Sequence, residues 1–176
     1  MLTKAAAGYL AVLVLSFILH AAKPLNPVYY SLLPVLMLTF PVIVRHTIRL
    51  KFNLKDLVTG LTVSIILLLP YYLLFGGNGR EITGYYLIFQ LIGAAFPEEF
   101  FFRGFLQDSI DRNIKAVVFV SILFSLAHLP KAVFTGEWMS LMSFFPSLAM
   151  GWLYMRTGNI LPGTIFHFLA NLAYQN

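Results

Sequence analysis

The 176-residue chain contains no cysteine, which excludes disulfides, a thiol nucleophile and any thiolate-ligated metal. It is also poor in charge. Asp, Glu, Lys and Arg make up 11% of it, where a soluble domain carries about 25%. Acidic residues are the scarcest, seven against twelve basic ones, for a formal net charge of +5. With 59% apolar residues and a mean hydropathy of +0.81, an aqueous globular domain is excluded. The composition is that of an all-α, polytopic integral membrane protein, read as a single unit over residues 1–176. The positive balance is not a nucleic-acid footprint, because the basic residues fall between apolar runs, where they set membrane topology. Neither an HExxH nor a GxSxG segment is present, so the single-segment signatures of zinc peptidases and serine hydrolases are missing. The absence of any repeat or pair of interrupted apolar segments argues against a transporter.

Apolar stretches fall at 5–22, 28–44, 54–75, 84–106, 114–129, 138–155 and 160–174. Backbone polar groups in lipid must be satisfied within the segment, so each is expected to be helical, giving seven helices. The first is read as a membrane helix and not as a secretion signal. Turn chemistry separates the runs: Lys23–Pro27, Gly76–Arg80, Asp111–Asn113, Leu129–Lys131 and Arg156–Asn159. The fifth and seventh helices are expected to be short, and a gap at Lys131–Trp138 is expected to admit a substrate tail. Trp138 and Tyr154 are expected to anchor at the two membrane interfaces. The loop carrying Arg45, His46, Arg49, Lys51 and Lys55 is the most basic, and the positive-inside rule assigns its four Lys and Arg residues to the cytoplasm. Alternation then adds Lys4, Arg112, Lys115 and Arg156, eight in all, against Lys23, Arg80 and Lys131 outside. The N-terminus is therefore expected in the cytoplasm.

Against this background Phe96-Pro-Glu-Glu-Phe-Phe-Phe-Arg-Gly-Phe105 is anomalous, because it sets Glu98 and Glu99 side by side at membrane depth. Such carboxylates cost several kcal/mol unless paired or wet, and by default mark a functional site. Glu99 and Arg103 are spaced i, i+4 in the favourable order for an ion pair. Glu98 points about 100° away and is left to face another helix, as a general base would. His128, His167 and Asn171 are polar residues at comparable depth. At 1.5 Å per residue Glu98, His128 and Asn171 lie roughly 18, 21 and 18 Å from one end of their helices, and His167 roughly 12 Å. His167 and Asn171 share one helix face, a pair of donors suited to an oxyanion site. An interhelical hydrogen-bond pair accounts for the same spacing equally well. Glu98, Glu99, His128 and His167 are also a possible donor set for zinc or another divalent ion. A non-catalytic membrane chaperone or immunity factor is a third reading.

Taken together, Glu98-Glu99-x-x-x-Arg103, Phe124-x-x-x-His128 and His167-x-x-x-Asn171 resemble the three ordered motifs of the CAAX protease and bacteriocin-processing (CPBP, or Abi) family, which includes the Rce1 prenyl-protein endopeptidases. Phe102-Arg-Gly104 and Tyr154-x-Arg-Thr-Gly158 also fit, and the likeness covers about residues 84–174. The resemblance implies a glutamate-dependent intramembrane peptidase. In it Glu98 activates water with help from His128, His167 and Asn171 form the oxyanion hole, and Glu99 and Arg103 support the site. It implies no cofactor, a membrane-anchored protein or peptide as substrate, and a minimal core without a regulatory domain. The myxosortase-like subgroup, which processes C-terminal sorting signals in a prokaryotic inner membrane, is the expected subtype.

Overall fold

A computed structural model describes residues 1–75 and 82–175. Among them there is no strand, and seven helices carry the fold. They are α1 (Leu2–Ala22), α2 (Leu32–Ile43), α3 (Leu54–Phe75), α4 (84–110), α5 (Ile114–Thr135), α6 (Phe144–Thr157) and α7 (Ile160–Gln175). Short 3₁₀ stretches, Pro27–Ser31 and Trp138–Ser143, lead into α2 and α6. The expected break at Gly76–Arg80 lies outside the described residues.

Three helices, α1, α3 and α5, are long and apolar enough to cross a membrane. A span needs about 20 residues, and α2, α6 and α7 have 12, 14 and 16. The central element is α4. Its residues 101–107 are all buried, the signature of a helix enclosed on every side. Phe101, Phe102, Phe105 and Leu106 join Tyr9 and Val12 of α1, Phe124 of α5, Met150 of α6 and Phe166 of α7 in one core. The chain thereby places its most charged apolar segment at the centre of the bundle rather than against lipid.

The outer helix α3 packs along α7. Gly60 permits the approach, since a Cβ there would lie 2.8 Å from the Pro162 backbone. Small residues let membrane helices close up in this way. The other side of α3 presents Ile65, Ile66 and Leu73, as a lipid-facing surface should. The start of α7 is fixed by Asn159, which is fully buried. Its Oδ1 accepts from Leu161 N at the helix start and from Lys51 N. Its Nδ2 donates to Lys51 O and Asp56 Oδ2. This one side chain ties the α2–α3 loop to the α6–α7 turn. Arg49 and Arg112 lie over Gly158 at the C-terminal end of α6, where cations complement the helix dipole. Lys4 reaches Val44 O from the start of α1, so the basic helix ends assemble on one face of the bundle.

Three expectations are corrected. The fifth apolar run does not stop at Leu129. His128 caps a first helical stretch, with φ −88° and ψ −6° outside regular helical geometry, and a second stretch, Leu129–Thr135, follows it directly and carries the helix on to Thr135. Pro130 sits in the first turn of that continuation, where its missing N–H is not needed. The supposed gap at Lys131–Trp138 is correspondingly filled by helix and by a 2.7 Å ion pair between Lys131 and Glu137. That pair holds the Glu137 carboxyl below its ordinary range, chiefly through the Lys131 hydrogen bond. Finally, Tyr154 is no interface anchor. It is 1% exposed, and its hydroxyl donates to Asp108 Oδ1 at 2.9 Å.

Candidate active site

Glu98 and Glu99 lie on a short α-helical turn, Phe96–Glu99, between two stretches of α4 wound as π-helix, Phe89–Ala95 and Phe100–Gln107. Pro97 supplies a local reason for the first. It has no N–H, and in a regular α-turn its ring would meet the carbonyl four residues back, at Gly93. The wider turn ahead of it relieves that conflict. Such π turns recur at functional sites because they re-aim side chains without ending a helix.

The two carboxylates have different surroundings. Glu99 is fully buried and held from both sides. Its Oε2 lies 3.4 Å from Arg103 Nε, and its Oε1 lies 3.3 Å from His167 Nδ1. Arg103 is fully buried too. Its Nη2 donates to Ser147 Oγ at 3.0 Å, and its guanidinium stacks 5.1 Å from the Phe124 ring centroid. The charge of Glu99 is thus met by Arg103 and the imidazole together. Gly163, one turn before His167, allows the fit, because a Cβ at that position would lie 2.5 Å from Glu99 Oε2.

Glu98 is the freer of the two, with its side chain 23% exposed. Its Oε2 lies 3.7 Å from His167 Nε2, beyond a direct hydrogen bond but close enough for one water to bond to both. A carboxylate only accepts, so the contact at 3.3 Å places a proton on His167 Nδ1, facing Glu99, and turns Nε2 toward Glu98. Glu99 thereby fixes the tautomer and the orientation of the imidazole.

His128 Nδ1 donates to the Phe124 carbonyl at 2.9 Å, which leaves Nε2 as its basic nitrogen. The His128 and His167 rings both contact the Phe124 ring, with centroids 5.0 and 5.7 Å from it. Phe124 thus contacts both histidine rings and the Arg103 guanidinium. Asn171, one turn beyond His167 on α7, donates from Nδ2 to Gln90 Oε1 at 3.0 Å. The structure thus joins Glu98, Glu99, Arg103 and His167 by direct contact and His128 through Phe124. Asn171 stands on the same helix face as His167, engaged with a partner. Among the described residues no three His, Asp or Glu side chains are grouped so as to hold a metal ion.

Sequence reasoning missed Gln90, Ser147 and Gly163. Gln90 carried a usable signal, a polar side chain eight residues before Glu98 in an apolar run. Ser147 and Gly163 carried none, since both residue types are common in membrane helices.

A family model described as type II CAAX prenyl endopeptidase Rce1-like matches residues 81–173, more than half of the chain. The chain belongs to this family. Every residue of the Glu98-Glu99-x-x-x-Arg103, Phe124-x-x-x-His128 and His167-x-x-x-Asn171 set falls inside the matched region. No curated protein and no solved structure matches the chain. Family membership makes this Rce1-like chain a membrane-embedded endopeptidase acting on a membrane-associated peptide. The apolar helices α1, α3 and α5 place it in a bilayer.

Proposed function

We propose that this Rce1-like chain hydrolyses its peptide by water activated at Glu98. The observation that carries the reading is the contrast between the paired carboxylates. Glu99 is sealed between Arg103 and His167, whereas Glu98 is partly open and faces His167 Nε2 at 3.7 Å. Water between Glu98 and the substrate loses a proton to the Glu98 carboxylate as its oxygen attacks the carbonyl carbon. His128, whose ring also contacts Phe124, offers Nε2 as a second basic site. The tetrahedral oxyanion takes hydrogen bonds from His167 and from Asn171 on the shared face of α7. The C–N bond then breaks, and the Glu98 carboxyl returns its proton to the leaving amine. No covalent enzyme intermediate is formed. Glu99 holds the imidazole's orientation, Arg103 holds Glu99, and Ser147 holds Arg103.

The substrate is proposed to be the C-terminal region of a membrane-anchored protein, with the basic face of the bundle and the N-terminus in a prokaryotic cytoplasm. Purified protein in liposomes is the test, with prenylated CAAX peptides and unmodified C-terminal sorting-signal peptides assayed separately by mass spectrometry. Cleavage of one class at a single internal bond is expected, and failure on both contradicts the substrate class. With roles for base and oxyanion donors already filled, EDTA or phenanthroline is expected to leave turnover unchanged. Loss of activity that one divalent ion restores replaces this mechanism with a metallopeptidase.

A further inference from the structure

We propose that Gln90 is a positioning residue of the site, holding the Asn171 amide in the orientation from which it donates to the oxyanion. The inference rests on the oxyanion role proposed for Asn171, and it assigns Gln90 to that same site. Gln90 is 6% exposed, in a segment otherwise built of Phe, Leu, Ile, Gly and Ala. A polar amide held at membrane depth is costly unless it has a partner. Its Oε1 accepts from Asn171 Nδ2 at 3.0 Å, across 81 residues of sequence.

The placement is specific. His167 and Asn171 are one turn apart on a single face of α7. Glu98 meets the first and Gln90 the second, so Gln90 and Glu98 stand on the same side of α4, both turned toward α7. Eight residues of regular α-helix would leave them about 80° apart. Gln90 lies in the π-wound stretch Phe89–Ala95, where each turn takes in an extra residue and changes that phase. The irregular winding and the amide pair are thus parts of one arrangement.

The chemistry explains why a second amide is needed. An asparagine side chain has two N–H donors and one acceptor, and it turns freely about its last bond unless something engages it. Gln90 occupies one N–H and fixes the plane, so the other N–H is held in a set direction. A pre-aimed donor stabilises the transition state without reorganising during the reaction.

The test is a double-mutant cycle in liposomes, reading kcat, KM and thermal unfolding. Asn171→Ala is expected to lower kcat about 100- to 1,000-fold. Gln90→Met keeps the length of the side chain and removes the acceptor. It is expected to lower kcat about tenfold with KM unchanged. In the Asn171→Ala background Gln90→Met is expected to have no further effect, because the group it positions is gone. Gln90→Asn keeps an amide but withdraws it by one methylene, and the same fall in kcat is expected. Independent, additive losses, or Gln90→Asn at full kcat, overturn the positioning role. Asn171→Ala at full kcat instead overturns the oxyanion reading beneath it, so the two failures are told apart.

Discussion

Glu98→Gln is expected to lower turnover by about 10²- to 10⁴-fold, the contribution of a positioned general base. The unfolding temperature and extracted yield should stay close to those of the wild type. The amide has nearly the carboxylate's shape but no basic oxygen for the water's proton. Folding should tolerate it because the Glu98 side chain is 23% exposed, and its contact with His167 at 3.7 Å is too long for a hydrogen bond. Kinetics on a confirmed substrate, read beside thermal unfolding, check both halves of the expectation. Near-full turnover in Glu98→Gln places the base elsewhere.

Arg103→Met is expected to act on stability instead. Arg103 is fully buried against Glu99, Ser147 and the face of Phe124. Removing it leaves the Glu99 carboxyl in a closed pocket without its buried cationic partner. Stranding one member of a buried pair costs about 3–5 kcal/mol. Adding Glu99→Gln to Arg103→Met should recover most of that loss, because both charges are then gone and the volumes are kept. The double variant should remain slow, since His167 loses the carboxylate that orients it. Unfolding measured in detergent for the two single variants and the double separates the effects. A double variant less stable than Arg103→Met would mean that Glu99 contributes through something other than its charge.

These two variants also mark where sequence and structure part company. The Glu99–Arg103 pair was legible because it is local: four residues on one helix fix both the partners and the order. The helical runs were legible for a related reason, since lipid leaves few other conformations open to an apolar stretch. The end of the fifth helix was not. Pro130 reads as a stop, yet at the first turn of a continuing helix it removes no hydrogen bond that the chain was using. Tyr154 reads as an interface residue because its ring is apolar and its hydroxyl polar. Its partner Asp108 is 46 residues away, and no periodicity reports such a distance. Gln90 with Asn171 and Arg103 with Ser147 are hidden in the same way, being set by how α4, α6 and α7 cross. The two π stretches of α4 add to this, because they shift which residues share a face and defeat any count made at 3.6 residues per turn.

The central claim is that Glu98 is the base, and chemical rescue tests it most directly. Glu98→Ala leaves an opening where the carboxylate stood, and added formate can occupy it. In metal-free buffer the variant is expected to cleave its peptide at a rate that rises with formate concentration and saturates, while Glu99→Ala gains nothing. Glu98→Ala that cleaves at the wild-type rate without formate, or that zinc restores where formate does not, contradicts the account.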